Sequence, residues 1–121
     1  MEELLTETPQ IKQFKLSNDD EIICEVLQWD DDENRSVIIR AVMRIINIED
    51  YNRGLRFFAF RPWMSFKDDP EELQSLNGEH IIAETLPDKE LIKHYVVTIS
   101  NIKEQLKQNK VPGNIPMDRI R

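Results

Sequence analysis

Short apolar runs separated by polar clusters fill most of the chain up to residue 86. The first two runs occupy residues 11–16 and 20–29, with a polar reversal between them and an acidic stretch, residues 30–34, after them. Runs of this length that end in clusters of Asn, Asp and Ser are typical of strands joined by turns. The pattern therefore predicts the opening hairpin of a small β-barrel.

The alternation of apolar residues predicts how the second and third strands are buried. The second run is apolar at odd and even positions, which predicts a strand covered on both faces, as in a tightly bent barrel or at a subunit contact. A third run, residues 36–48, alternates more clearly, so its odd-numbered face is predicted to be the core. The second strand presents Ile22, Cys24 and Val26 on one face and Ile23, Leu27 and Trp29 on the other, and the third presents Val37, Ile39, Ala41, Met43 and Ile45.

The second half of the chain predicts two more strands and then a helix. Residues 55–66 are rich in aromatic side chains, and Pro62 within them predicts an edge, a bulge or a sharp bend. Residues 76–85 form the fifth predicted strand. From residue 88 to residue 108 the apolar positions recur every three or four residues, which predicts an amphipathic helix. We therefore expect a mainly β fold with a C-terminal α-helix.

Length and composition indicate one domain. A chain of 121 residues has room for a single modest core, and we assign this domain to residues 1–108, with residues 109–121 as a flexible tail. No apolar run approaches the roughly 20 residues of a membrane span. The first residues lack the basic and apolar regions of a signal peptide, so a cytoplasmic location is expected. Cys24 is the only cysteine and is expected to pack as a small apolar residue.

The charge distribution is uneven. The net charge of −7 argues against broad, charge-driven association with nucleic acid. Residues 35–67, however, carry seven bases and two acids, a net charge of +5, so a local positive face is possible on an acidic protein. The alternative is that acids on neighbouring strands neutralise these bases. The bases are Arg35, Arg40, Arg44, Arg53, Arg56, Arg61 and Lys67.

Two short motifs indicate a family. Trp29 and Asp30 end the second predicted strand, Asn34 follows Asp30 by four residues, and the triplet formed by Leu76, Asn77 and Gly78 enters the fifth strand. This arrangement resembles Sm-like proteins, which have an aromatic-Asp pair with an Asn four residues later, and an aliphatic-Arg-Gly triplet. The chain also resembles a marine phage (cyanophage-type) group of Sm-like proteins, notably at residues 21–26 and 60–63.

The chain departs from the family pattern at several positions. Asp32 lies where the family usually has a base-stacking side chain, Asn77 replaces the arginine of the second motif, and Cys24 replaces a strand glycine. The predicted helix follows the barrel instead of preceding it. These changes leave the fold prediction standing but weaken the prediction of RNA binding, because base stacking contributes about 1 to 3 kcal/mol per base. Asp30 and Asn34 have the alternative role of closing a strand end by hydrogen bonds.

The resemblance implies a barrel of five strongly bent antiparallel strands that assembles into a homo-oligomeric ring of five to seven subunits. It also implies weak binding of single-stranded RNA or DNA in phage RNA or DNA processing. The alternative is a non-catalytic protein-interaction or assembly subunit that binds no nucleic acid. The predicted nucleic-acid site is Asp30, Asn34, Arg35, Asn77 and Gly78, and the predicted subunit interface is Phe58, Phe60, Met64 and Ile82.

Other chemistry is not expected. The sequence shows no catalytic signature and no Gly-rich phosphate loop, so we expect neither an enzyme nor a cofactor. His80 and His94 lie on different predicted elements without matching carboxylates, so no metal site is expected. The acidic clusters at residues 30–33 and 68–72 are predicted to be solvated loops, with a hard-cation site as the alternative.

Overall fold

A computed structural model describes residues 10–29, 35–64 and 69–109 of the chain. The predicted tail, except for its first residue, lies outside the described residues. The observed fold is mostly antiparallel β-sheet followed by a C-terminal helix, which confirms the predicted class. Its elements are β1 (Gln10–Leu16), β2 (Glu21–Trp29), β3 (Ser36–Asp50), β4 (Leu55–Pro62), β5 (Gln74–Asn77), a 3₁₀ turn (Gly78–His80), β6 (Ile81–Thr85) and α1 (Lys89–Asn109).

All strand pairs in the described residues are antiparallel, and the strand order is β4-β3-β2-β1-β6. The long strand β3 has two partners on one side. Its first half pairs with β5 and its second half pairs with β4. The sheet is not closed by pairing between its end strands, so β4 and β6 each keep one free edge within the described residues.

The predicted fifth strand is in fact two strands. Residues 74–77 pair with β3, whereas residues 81–85 pair with β1. The 3₁₀ turn between them redirects the chain from one partner to the other, which no single extended strand could do. The predicted fourth strand is also shorter than expected, because β4 ends at Pro62, where the missing N–H removes a donor to the ladder.

A β-bulge at Ala41 reverses the alternation of β3. Ile23 pairs with Met43 but Glu25 pairs with Arg40, so two steps along β2 correspond to three steps along β3. Ala41 has φ of 54°, the left-handed region that is uncommon outside glycine. Beyond the bulge the two faces exchange. The predicted odd-numbered residues do belong to the core, but they do not share one face, because Val37 and Ile39 lie in one cluster of buried residues and Ala41 and Met43 lie in another.

A second bulge, at Leu27, exchanges the two faces of β2. Val26 pairs with Ile39 and Gln28 pairs with Ile38, so Leu27 is the extra residue. Trp29 was predicted to share a face with Ile23, but the bulge returns it to the opposite face. There its ring packs edge-on against Phe14, with a centroid distance of 5.6 Å and an interplanar angle of 83°.

The bulges give the sheet two hydrophobic cores, one on each face. The predicted coverage of β2 on both faces follows from this arrangement. The first core lies inside the curved sheet and contains Phe14, Leu16, Ile22, Cys24, Val37, Ile39, Val42 and Leu76. The second lies between the sheet and α1 and contains Ile23, Ala41, Met43, Tyr95 and Ile99.

Helix α1 packs on the outer face of the sheet, close to its predicted bounds of residues 88–108. Tyr95 is 1% exposed and contacts Phe60 edge-on at a centroid distance of 6.1 Å. Its hydroxyl donates to the carbonyl oxygen of Ala41. Burial raises the pKa of the Tyr95 hydroxyl well above its usual value, so the group is a permanent donor to the bulge.

An ion-pair network fastens α1 and the turn before β5 to the sheet. Arg40 Nε lies 2.7 Å from Glu25 Oε1, and Arg40 Nη1 lies 3.4 Å from Glu71 Oε1. The other oxygen of Glu71 lies 2.7 Å from Lys103 Nζ on α1. Asp69 Oδ1 accepts from the backbone N–H of Glu71, which holds the turn in place. The hydrogen bond that Lys103 donates to Glu71 lowers the pKa of Glu71, and the hydrogen bond that Arg40 donates to Glu25 raises the pKa of Arg40.

Candidate nucleic-acid interface

The start of β3, which follows the first predicted motif, lies beside the second motif at one end of the sheet. Ser36 at the start of β3 pairs with Asn77 at the end of β5. One step further, the backbone N–H of Gly78 donates to the carbonyl oxygen of Arg35 at 2.7 Å. Three predicted site residues, Arg35, Asn77 and Gly78, therefore form one surface, which we call the mouth surface.

Gly78 is required by this contact. A Cβ atom at residue 78 would lie 2.6 Å from the carbonyl oxygen of Arg35, closer than real Cβ atoms approach. Arg35 itself has φ of 48°, so its backbone turns sharply into β3. The absence of a side chain at Gly78 and the left-handed conformation of Arg35 together bring the two segments into contact.

Asn77 has a structural role as well as an exposed position. Its Oδ1 atom accepts from the backbone N–H of Glu79 at 3.0 Å and so caps the 3₁₀ turn. A carboxamide oxygen has a second lone pair, and the Asn77 Nδ2 group makes no hydrogen bond within the described residues. Asn77 therefore keeps two donors and one acceptor position that can contact a base edge.

The remaining two predicted site residues, Asp30 and Asn34, lie outside the described residues. The residues on either side of their loop are described: Trp29 pairs with Val37, and Arg35 contacts Gly78. These contacts set both ends of the loop at the edge of the mouth surface. The roles of Asp30 and Asn34 stay predictions.

A neighbouring contact was missed by reasoning from the sequence. The backbone N–H of Ser17 donates to the carbonyl oxygen of His80 at 2.8 Å, and Ser17 Oγ lies 2.9 Å from His80 Nδ1. The turn between β1 and β2 thereby adjoins the 3₁₀ turn that begins at Gly78. Neither residue belongs to a family motif, so only the polar reversal before β2 could have pointed to this contact.

The arginines of the middle segment divide into two groups. Arg40, Arg44 and Arg53 pair with carboxylates, as the neutralisation alternative predicted. Arg35, Arg56 and Arg61 are exposed and make no ion pair within the described residues. Part of the predicted positive face therefore remains on an otherwise acidic protein.

The four residues of the predicted subunit interface lie in two environments. Phe58 and Phe60 are partly covered by the helix, since Phe58 contacts His94 edge-on at 5.3 Å and Phe60 contacts Tyr95. Met64 and Ile82 are more accessible, with 46% and 62% of their surface exposed. Whether all four lie in a subunit interface stays a prediction.

The described part of the chain contains neither a metal-ligand cluster nor a helix that could span a membrane. Residues 10–29, 35–64 and 69–109 contain no group of three or more His, Cys, Asp or Glu side chains that could hold a metal ion. No helix in these ranges has both the length and the apolar character of a membrane span.

Comparison with known protein families agrees with the observed fold. Residues 13–96 match the family model of the Sm_like domain, which is more than half of the chain. The chain therefore belongs to the Sm-like family. The match begins within β1 and ends within α1, so it includes every strand pair described above. No curated protein matches the chain.

Proposed function

We propose that this protein is a ring-forming Sm-like module that binds single-stranded nucleic acid weakly, in phage RNA or DNA processing within the host cytoplasm. The contact between Gly78 and Arg35 carries this proposal, because it places the second family motif beside the residue that directly follows the first motif. Asn77 contributes hydrogen-bonding groups to that surface, and Arg35 contributes a positive charge that no described carboxylate pairs with.

Ring formation is supported by the free edges of β4 and β6. An unpaired edge exposes backbone donors and acceptors that readily pair with another strand. Apolar side chains near these edges are exposed, with Phe57 at 48%, Ile82 at 62% and Leu86 at 71%. Head-to-tail pairing of β4 with β6 of the next subunit satisfies the free edges of both strands when the ring closes. The family resemblance implies five to seven subunits.

A ring compensates for a weak site on each subunit. Several equivalent mouth surfaces on one particle bind a single strand with high effective concentration after the first contact. The net charge of −7 disfavours non-specific attachment to nucleic acid. Binding is therefore expected to be weak for very short oligonucleotides and stronger for strands that reach several subunits.

The second candidate function is an assembly subunit that uses the ring without nucleic acid. The observation in its favour is that three of the six described arginines in the middle segment are already paired with carboxylates. Fewer arginines of the middle segment are therefore free to bind the phosphates of a nucleic acid.

Two measurements test the proposal and separate the candidates. Light scattering at micromolar concentration should give the mass of a five- to seven-subunit ring, and a monomer would refute ring formation. Titration of a labelled single strand, with a duplex of the same sequence as control, should show preferential binding of the single strand at low salt. A ring that binds neither would favour the assembly subunit.

A further inference from the structure

Two arginines face each other on neighbouring strands of the hairpin. Arg44 on β3 is the direct cross-strand partner of Arg61 on β4. Side chains at directly opposite positions lie on the same face of the sheet, with Cβ atoms about 4.5 to 5.5 Å apart. Like charges in this arrangement repel each other unless an anion lies between them or beside them.

The described residues provide one carboxylate for these two guanidinium groups. Asp20 Oδ1 lies 3.4 Å from Arg44 Nε, while Asp20 Oδ2 accepts from Trp63 Nε1 at 3.1 Å. The side chain of Asp20 is only 19% exposed, so both of its oxygens are held in place. Arg44 is half exposed and Arg61 is exposed. Among the residues that the structure describes, one positive charge of this group therefore has no paired carboxylate.

Other arginines of the hairpin do not offer such a site. Arg40 contacts Glu25 and Glu71, and Arg53 contacts Asp50. Arg56 lies on the opposite face of β4, where its cross-strand partner is Glu49. Positive charge is thus concentrated at Arg44 and Arg61, which we call the arginine pair.

The arginine pair is connected to the mouth surface by two turns. Asp20 ends the turn between β1 and β2, and Ser17 begins it. Ser17 contacts His80, the last residue of the 3₁₀ turn that starts at Gly78. The two turns therefore form a continuous surface between Gly78 and Arg44.

We propose that the arginine pair binds a backbone phosphate of the single strand whose bases contact the mouth surface. This inference rests on the proposed function and extends it, because it predicts that the strand crosses the turn between β1 and β2. Guanidinium groups match phosphate oxygens with paired hydrogen bonds. A phosphodiester carries one negative charge, so with Asp20 it balances the two arginines.

The test compares Arg61→Gln with Arg56→Gln. Both variants remove one exposed positive charge from β4, but on opposite faces, so overall charge is matched. Binding of a labelled twelve-nucleotide RNA is measured at several salt concentrations. Arg61→Gln should weaken binding about threefold or more and reduce the slope of log affinity against log salt by about 0.7, the value for one single-strand phosphate contact. Arg56→Gln should change neither, and Arg61→Lys should restore the slope.

Several results would overturn the inference. Equal effects of Arg61→Gln and Arg56→Gln would show that the pair is no specific site. A change in ring mass with Arg61→Gln would assign Arg61 to the subunit joint instead. Inorganic phosphate that competes as well as the oligonucleotide, at equal ionic strength, would indicate a site for free phosphate. If a mouth-surface variant loses RNA binding while Arg61→Gln binds like wild type, the inference fails but the proposed function stands. If wild type binds no RNA, both the inference and the proposed function fail.

Discussion

The hydroxyl of Tyr95 donates a 2.6 Å hydrogen bond to the carbonyl oxygen of Ala41, the residue with φ of 54° at the bulge of β3. One side chain of the helix thus holds the point at which β3 changes faces. Since that bulge divides the apolar residues between two cores, the bond links the position of α1 to the curvature of the sheet.

Removing this hydroxyl should destabilise the protein. Tyr95→Phe keeps the ring and its contact with Phe60 but leaves the buried carbonyl of Ala41 without its donor, a loss of about 1 to 3 kcal/mol in the free energy of unfolding. Chemical denaturation measures the difference. Tyr51→Phe is the control, because Tyr51 is 85% exposed and a change there should lie within about 0.5 kcal/mol. Equal effects of the two variants would contradict a structural role for the bond.

Alanine substitution at two glycines should separate close packing from backbone strain. Gly78→Ala places a Cβ against the carbonyl oxygen of Arg35, whereas Gly54→Ala meets no atom within 4 Å but is strained at φ of 65°. We expect Gly78→Ala to cost about 2 to 3 kcal/mol of stability and to weaken RNA binding. Gly54→Ala should cost about 1 to 2 kcal/mol and leave binding unchanged. If folded Gly78→Ala binds RNA like wild type, the contact between Gly78 and Arg35 is not needed for binding.

The Glu71 network should make stability depend on pH in the acid range. The hydrogen bond from Lys103 lowers the pKa of Glu71 from its ordinary value of 4.5. A lowered folded pKa stabilises the protein above pH 4.5, and this contribution is lost as the pH falls through the folded pKa. Since the Glu71 side chain is 53% exposed, Glu71→Gln should cost at most about 1 kcal/mol at pH 7. The stabilities of wild type and variant should converge as the pH falls below 4.5 and through the folded pKa of Glu71, and a constant difference would contradict the assignment.

The single thiol should be inert in the folded protein. Burial, with a smaller contribution from the charge of Glu25, raises the pKa of Cys24 to about 12. Thiolate is the reactive form of cysteine, and at pH 8 almost none is present in the folded state. A thiol reagent should label Cys24 only after denaturant unfolds the chain. Rapid labelling under native conditions would show that the first core opens locally.

Periodicity alone predicted the helix and most strands, because their apolar residues recur at the spacing of each element and polar turns separate them. It failed where the backbone departs from regular geometry. The bulges at Leu27 and Ala41 carry no glycine or proline, so nothing in the alternation predicted the exchange of faces. The division of the fifth strand was signalled by Asn77 and Gly78, but which strands pair with each half depends on contacts across the whole sheet.

The candidate site shows the same limit. The predicted site included residue 35 and residues 77–78, and the structure places them together, since Gly78 donates to the carbonyl oxygen of Arg35. Their role in binding stays a prediction. The contact of Ser17 with His80 depends on tertiary position alone. Likewise, which arginines stay unpaired follows from cross-strand register and could not be deduced from their spacing in the chain.

The most direct test of the central claim is the affinity of Asn77→Asp for single-stranded RNA at low salt. Aspartate keeps an oxygen to accept from Glu79 and so preserves the cap, but it removes the two Nδ2 donors and adds negative charge at the mouth surface. Asn101→Asp makes the same change on an exposed position of α1. Our account predicts that Asn77→Asp loses about tenfold or more in affinity, since a bidentate base contact is worth about 1 to 3 kcal/mol, while Asn101→Asp binds like wild type. Equal affinities for all three proteins, or no binding by wild type, would contradict it.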